Sequence, residues 1–305
     1  MNKRPLRVWR FSDGKAGHDN QSGGLLEALR RLRPVEHHDL GSSSTTTALA
    51  AWLLGRVPSV WRELPAPDLL LGAGHQTHLS LLAARKQRGG KAVVLMRPTL
   101  PLALFDLCLI PEHDAPPVRA NVLTTRGALN RIQPSTVLES ERGLLLIGGP
   151  STHFGWDNAE IYQQITAVLR ANATMQWTLT TSRRTPADFL QGLPVAPDGR
   201  LAVVPVTATD HHWLPAQLAH AHQVWVTADS VSMVYEALTA GAAVGVFAVP
   251  LRRSNRISRG LDRLIAQGWL TPFARWRQTA QLTRPTGSFA EADRCAHWII
   301  AQWFD

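Results

Sequence analysis

The chain has only two cysteines, Cys108 and Cys295, in 305 residues. One falls in an apolar strand-like run and the other in a helical pattern near the C-terminus, so neither a disulfide framework nor a zinc site is supported. Long hydrophobic runs are missing too. The stretches 69–71 and 144–147 stop after a few residues, against the roughly 20 that cross a bilayer. Residues 1–4 are basic, but Trp9, Arg10, Ser12 and Asp13 interrupt anything like the apolar core of a signal peptide. The expected location is therefore the cytoplasm, with peripheral attachment to the inner membrane left open. Lysine is scarce, confined to Lys3, Lys15, Lys86 and Lys91, so the net charge of +9 comes almost entirely from arginine. The arginines are scattered and no helix-turn-helix, zinc-finger or RNA-binding signature accompanies them, which excludes nucleic acid as the expected partner. Two readings of the charge remain: solvated helix faces, or attraction to phosphates, either of a nucleotide or of an anionic membrane surface.

What is present is an alternation of strand-like and helix-like segments, the pattern of parallel sheets with crossover helices. A strand is expected over 6–11, a helix over 21–32, a strand over 68–71 entering the Gly72-Ala73-Gly74 turn, a helix over 76–87 and a strand over 92–96. Short strands follow at 105–110 and 121–123. From Gly143 the pattern restarts, with strand 144–147, the Gly148-Gly149 turn, helix 158–171 and strand 176–180. Further units read as strands at 201–205, 223–227 and 243–247, with a helix over 230–240. The polar stretch 134–142 marks the boundary, dividing the chain into an N-terminal acceptor-side domain, 1–138, and a C-terminal nucleotide-sugar-binding domain, 139–305. Ala292, Ala296, Ile299, Ile300 and Trp303 recur at helical spacing and predict a closing helix over 289–304. The expected fold class is α/β, two Rossmann-like domains facing a cleft, where ligands meet the loops after the strands.

Four of those loops carry chemistry. After the first strand come Ser12-Asp13-Gly14-Lys15-Ala16-Gly17-His18-Asp19-Asn20-Gln21. His18 is a candidate base, imidazole being the side chain best suited to take a proton at neutral pH, with Asp13 or Asp19 to orient it and Gly17 to admit a ligand. The alternative is a polar turn capped by Asp19 or Asn20. In Gly148-Gly149-Pro150-Ser151-Thr152-His153, backbone N–H groups and hydroxyls suit a diphosphate, or form an ordinary strand-to-helix turn. In 180–186, Arg183 and Arg184 suit phosphate neutralisation, while Thr185 before Pro186 reads as a helix cap. In 226–241, Asp229, Ser230 and Ser232 stand at a helix start, and Glu236 is a lone acid amid apolar residues. A ribose diol would satisfy it; a solvent-facing position is the alternative. The pairs His37-His38 and His211-His212 are expected to diverge and form no metal site, and His75 and His78 stay open between ligand contact and core. The tryptophans read as packing residues.

Together Asp13-Gly14-Lys15 with Gly17-His18 and Asn20-Gln21, Gly148-Gly149-Pro150-Ser151, Thr181-Ser182-Arg183-Arg184-Thr185-Pro186, and Asp229-Ser230-Val231-Ser232-Met233 leading to Glu236-Ala237 resemble the bacterial proteins of the mitochondrial fission Elm-one family, described as GT-B glycosyltransferases. The family name comes from a plant organelle phenotype, and nothing in this sequence points to organelle division. More distantly the layout is similar to the GT-B transferases that add N-acetylglucosamine to a lipid-linked cell-wall precursor. That likeness implies a base at Gly17-His18, a diphosphate contact at Gly148-Gly149 and a ribose contact at Glu236-Ala237 with Gly241. No Asp-x-Asp string occurs, which argues against the metal-dependent class. The expectation is metal-independent transfer of a sugar from a nucleoside diphosphate donor to a hydroxyl acceptor, lipid-linked or part of a surface glycan of the cell envelope, with no cofactor beyond the donor. His18 would act as base with Asp13 as its helper; Gly149, Ser151, Arg183, Arg184 and Ser230 would hold the diphosphate and Glu236 the ribose. Two alternatives remain open: a non-catalytic nucleotide-sugar-binding or membrane-associated scaffold, and a nucleotide-sugar epimerase.

Overall fold

A computed structural model describes residues 4–55, 58–193, 199–253 and 256–304. The chain forms two compact units, one of Met1–Arg131 with Glu291–Asp305 and one of Ile132–Ala290.

The first unit runs β1 (Leu6–Ser12), α1 (Ala16–Leu32), β2 (Val35–Gly41), α2 (Thr45–Leu54), α3 (Ser59–Glu63), β3 (Leu69–Ala73), α4 (His78–Arg88), β4 (Lys91–Leu95), β5 (Leu107–Pro111) and β6 (Val122–Thr125), and is completed by the closing helix Glu291–Trp303. Its six strands are parallel in the order β2-β1-β3-β4-β5-β6. Successive side chains alternate between the faces of such a sheet. Leu69, Leu71, Val93 and Leu95 therefore enter one core with Leu25 and Leu29 of α1. Leu70, Ala92 and Val94 enter the other with Leu81 and Leu82 of α4.

The second unit runs β7 (Glu139–Leu146), α5 (Asn158–Ala171), β8 (Gln176–Thr180), β9 (Leu201–Val204), α6 (Trp213–Leu218), β10 (Ala221–Thr227), α7 (Val231–Ala240), β11 (Ala243–Phe247), α8 (Arg256–Ala266), β12 (Thr271–Pro272) and α9 (Phe273–Thr279). Its strands are parallel in the order β12-β11-β10-β7-β8-β9. Helix α5 starts at Asp157, whose carboxylate accepts the Ala159 and Glu160 N–H groups. Its buried Ile161, Ile165 and Val168 share a core with Trp177 and Trp225, and Trp9 and Trp61 are likewise fully buried in the first unit.

Four departures from the sequence pattern have physical causes. The first helix begins at Ala16 rather than near Gln21, so Gly17, His18 and Asp19 belong to its first turn. Strand β2 is hidden in Val35-Glu36-His37-His38-Asp39 because it sits at the sheet edge with polar residues on both faces; Arg10 of β1 fixes it through Asp39 at 2.7 and 2.8 Å, and the guanidinium holds that carboxyl below the usual range. The polar stretch taken as a boundary supplies the exposed first half of β7. Finally, the closing helix joins the first unit, not the 139–305 half. Its Ala292, Cys295, Ala296 and Ile299 fill the core beside α1, and buried Glu291 accepts the Arg126 N–H and pairs with Arg294. No helix among the described residues is long and apolar enough to cross a membrane.

Candidate functional site

The candidate residues fall into two groups, each at the carboxyl ends of one sheet. In the first unit, the turn after β1 is shaped by its own side chains: Ser12 Oγ accepts the Gly14 N–H at 3.0 Å and Asp13 Oδ1 the Lys15 N–H at 3.2 Å. The Asp13 side chain is wholly buried, and His18 Nδ1 lies 2.9 and 3.0 Å from its two oxygens. A histidine that gives its Nδ1 proton to a carboxylate keeps the lone pair on Nε2, the arrangement a general base needs. Asp19, the other helper considered, lies instead 3.6 Å from Arg10.

Sequence spacing missed one essential neighbour. Gly74, the residue after β3, has φ +86°, and a Cβ there would overlap the His18 ring and the Asp13 carboxylate. The imidazole and carboxylate thus rest directly on the Gly74 backbone, which only glycine permits. The signal was the Gly72-Ala73-Gly74 turn on the strand next to β1. Gly17, by contrast, has open space beside its Cα. At the end of β4, Met96 adopts φ +67°, and Gln21 of α1 reaches its sulfur at 3.4 Å.

His78 and His75 separate. His75 is exposed. His78 is 2% exposed, lies 3.3 Å from Thr99 Oγ1 and stacks edge-on against Phe105; burial, aided by His75, pushes its pKa down to about 4. It is a neutral core residue. The His211 and His212 rings do not diverge but lie 3.8 Å apart.

In the second unit, three loops are tied together at the ends of β7, β8 and β10. Gly148 N donates to Thr227 Oγ1 at 2.8 Å and Gly149 N to Asp229 Oδ2 at 3.0 Å. Arg184 donates to the Gly149 carbonyl at 2.7 Å, to Asp229 Oδ2 at 2.7 Å and to Ser230 Oγ at 3.2 Å. Thr185 Oγ1 donates to the Gly148 carbonyl at 2.5 Å and accepts the Ser182 N–H at 2.8 Å. A Cβ on Gly148 would overlap Asp229 and Ser230, and one on Gly149 would overlap the Arg184 backbone.

This changes the role of the glycine turn. Its N–H groups, expected to cradle a diphosphate, are committed to Thr227 and Asp229, and the glycines serve the close approach of the loops. Ser151 shapes the same turn, its Oγ accepting the His153 and Phe154 N–H groups at 3.3 and 3.1 Å, which uses its lone pairs and not its O–H donor. The buried Asp229 carboxylate braces the loops, and Arg184 is held against it. Arg183 is exposed. Helix α7 starts without a side-chain cap. Ser232 in its first turn is exposed and Glu236, one turn on, is half-buried; four residues apart, they share a helix face.

A family model described as Mitochondrial fission ELM1 matches residues 16–303. Among solved structures, the chain is similar to a candidate UDP-N-acetylglucosamine 2-epimerase from Listeria monocytogenes, at 13% identity and TM-score 0.60 over 98% of this chain and 97% of that one. It is similar to MurG from Acinetobacter baumannii at 13% identity and TM-score 0.53, over 97% and 100% of the two chains. It is also similar to the UDP-GlcNAc 2-epimerase from Neisseria meningitidis bound to UDP-GlcNAc, at 12% identity and TM-score 0.50, over 98% and 100%. At these identities the likeness is one of fold, and the fold is of the GT-B type.

Proposed function

The chain belongs to the mitochondrial fission ELM1 family, and from that membership and the two strand-end groups we propose that it is a metal-independent GT-B glycosyltransferase moving a sugar from a nucleoside diphosphate donor to a hydroxyl acceptor. The observation that carries the proposal is the buried Asp13 carboxylate beside His18 Nδ1, which readies Nε2 for a proton. In the reaction, His18 takes the hydroxyl proton as the acceptor oxygen bonds to the anomeric carbon. The bond from that carbon to the donor phosphate breaks, and its electron pair leaves with the nucleoside diphosphate. Negative charge on the leaving group is matched by exposed Arg183 and by the N–H groups and hydroxyls at the start of α7, including Ser232. Arg184, Asp229 and Ser230 hold those groups in register, and Glu236 accepts the ribose hydroxyls.

The donor class rests further on the UDP-N-acetylglucosamine named for two proteins of similar fold. A thermal-shift panel of nucleoside diphosphates and their sugars tests it. A true donor at about 100 times its Kd should stabilise the protein by roughly 2.7 kcal/mol, and absence of any shift across the panel would overturn the reading. Product analysis separates the two chemistries: transfer leaves free nucleoside diphosphate and a glycosylated acceptor, whereas epimerisation leaves the sugar attached with one centre inverted.

A further inference from the structure

Helix α2 is built without a polar outer face. Its sequence from Ala48 to Leu54 holds only alanine, leucine and tryptophan. Ala48 and Ala51 are buried, and the carbonyls of Ala51 and Trp52 accept Gln87 Nε2 and Lys86 Nζ of α4 at 3.3 and 2.7 Å. The opposite side is equally apolar yet open to solvent: Leu49 is 40% exposed, Leu53 58%, Leu54 68%, and Val60 of α3 50%. Half of the large hydrophobic side chains exposed among the described residues fall in this one segment. A surface helix of a globular protein ordinarily turns a polar face to water, and a contiguous apolar patch marks an interaction surface.

The exposed charge around the patch is mainly positive, two cations against the single acid Glu63 that ends α3. No acidic residue stands between Asp39 and Glu63, while Arg62 and Lys86 are exposed beside it. We propose that α2 and α3 form a peripheral anchor that lies in the plane of an anionic bilayer, the leucines entering the acyl boundary and the cations meeting lipid phosphates. Helix α2 has ten residues, half of the roughly 20 needed to span, so it rests in the interface, its buried side held on the protein and its leucines toward the acyl chains. A second copy of the chain fits less well, because pairing patch to patch would bring two sets of Arg62 and Lys86 together in a protein of net charge +9. The anchor is independent of the donor reading above.

Co-sedimentation of the full chain with vesicles tests it. The protein should pellet with vesicles of phosphatidylglycerol and phosphatidylcholine, stay in solution with phosphatidylcholine alone, and be released by high salt. Leu53→Gln with Leu54→Gln should lower the vesicle partition coefficient by at least about tenfold while circular dichroism and melting temperature stay as in the parent. If that double variant does not fold, Val60→Gln, on the neighbouring helix, is read in the same way. A parent protein that stays in solution with the anionic vesicles overturns the proposal, as does a folded variant that binds as the parent does. A parent dimer in light scattering that dissociates on these substitutions, without vesicle binding, would assign the face to a second copy and overturn it too.

Discussion

The Arg184 guanidinium meets the Asp229 carboxylate at 2.7 Å, with the aspartate wholly buried and the arginine still two-fifths exposed. Because the same oxygen, Oδ2, also takes the Gly149 N–H and the Ser230 hydroxyl, one carboxylate ties three loops. Asp229→Asn should lower unfolding free energy by about 1–3 kcal/mol, below the ~3–5 of a broken fully buried pair because water screens the exposed arginine. Urea unfolding checks the loss, and an unchanged midpoint would reject the bracing role.

His18 and donor affinity should separate. General base catalysis contributes roughly 10²–10⁴ in rate, so His18→Ala should lose that much turnover with little change in nucleotide Kd. Gly74→Ala should imitate it, since the added methyl group displaces the imidazole from Asp13. Near-normal turnover in both variants, with donor and acceptor in hand, would remove His18 from the chemistry.

Glu236→Gln keeps the shape but replaces a charged acceptor with an amide. Nucleotide binding should weaken by about 1.5–3 kcal/mol, the range for hydrogen bonds to charged groups, measured by calorimetry on the folded variant. Equal affinity would reject the ribose contact.

His78 gives a pH signature. Its pKa is pushed down to about 4 from an ordinary 6.5, so the folded state favours the neutral ring and the unfolded state binds the proton more readily. The protein therefore keeps this contribution above pH 6.5 and loses it progressively as pH falls from 6.5 to about 4, where the loss levels off at about 3 kcal/mol. His78→Gln, which cannot titrate, should flatten the stability profile in that window relative to the parent. Parallel profiles for the two proteins would show that the ring is protonated without penalty in the fold.

Strands with apolar runs or alternation and helices with strong periodicity were legible in the sequence: helix Asn158–Ala171 and strands Gln176–Thr180 and Ala243–Phe247 have the bounds that the residues suggest. Edge strand β2 was not, because its His37, His38 and Asp39 belong to the surface and to Arg10 rather than to a core. The candidate histidine and its carboxylate were legible from one loop, five residues apart. Gly74 was not, since its tie to His18 depends on β3 lying next to β1, a pairing that local spacing does not encode. Likewise the pair Gly148-Gly149 advertises close backbone approach without saying what approaches; here it is Asp229 and the Arg184 backbone.

Because the closing helix completes the unit begun at the N-terminus, the order of synthesis runs against the order of completion. Ile132–Ala290 is contiguous and leaves the ribosome whole, while Leu25 and Leu29 of α1 wait for Ala292, Cys295, Ala296 and Ile299 to cover them. At about 5–20 residues per second, the earliest-made apolar face stays open for roughly fifteen to fifty-five seconds, a window in which a holdase chaperone would find it. A stop codon or bulky tag near residue 291 thus damages the half of the protein that was translated first.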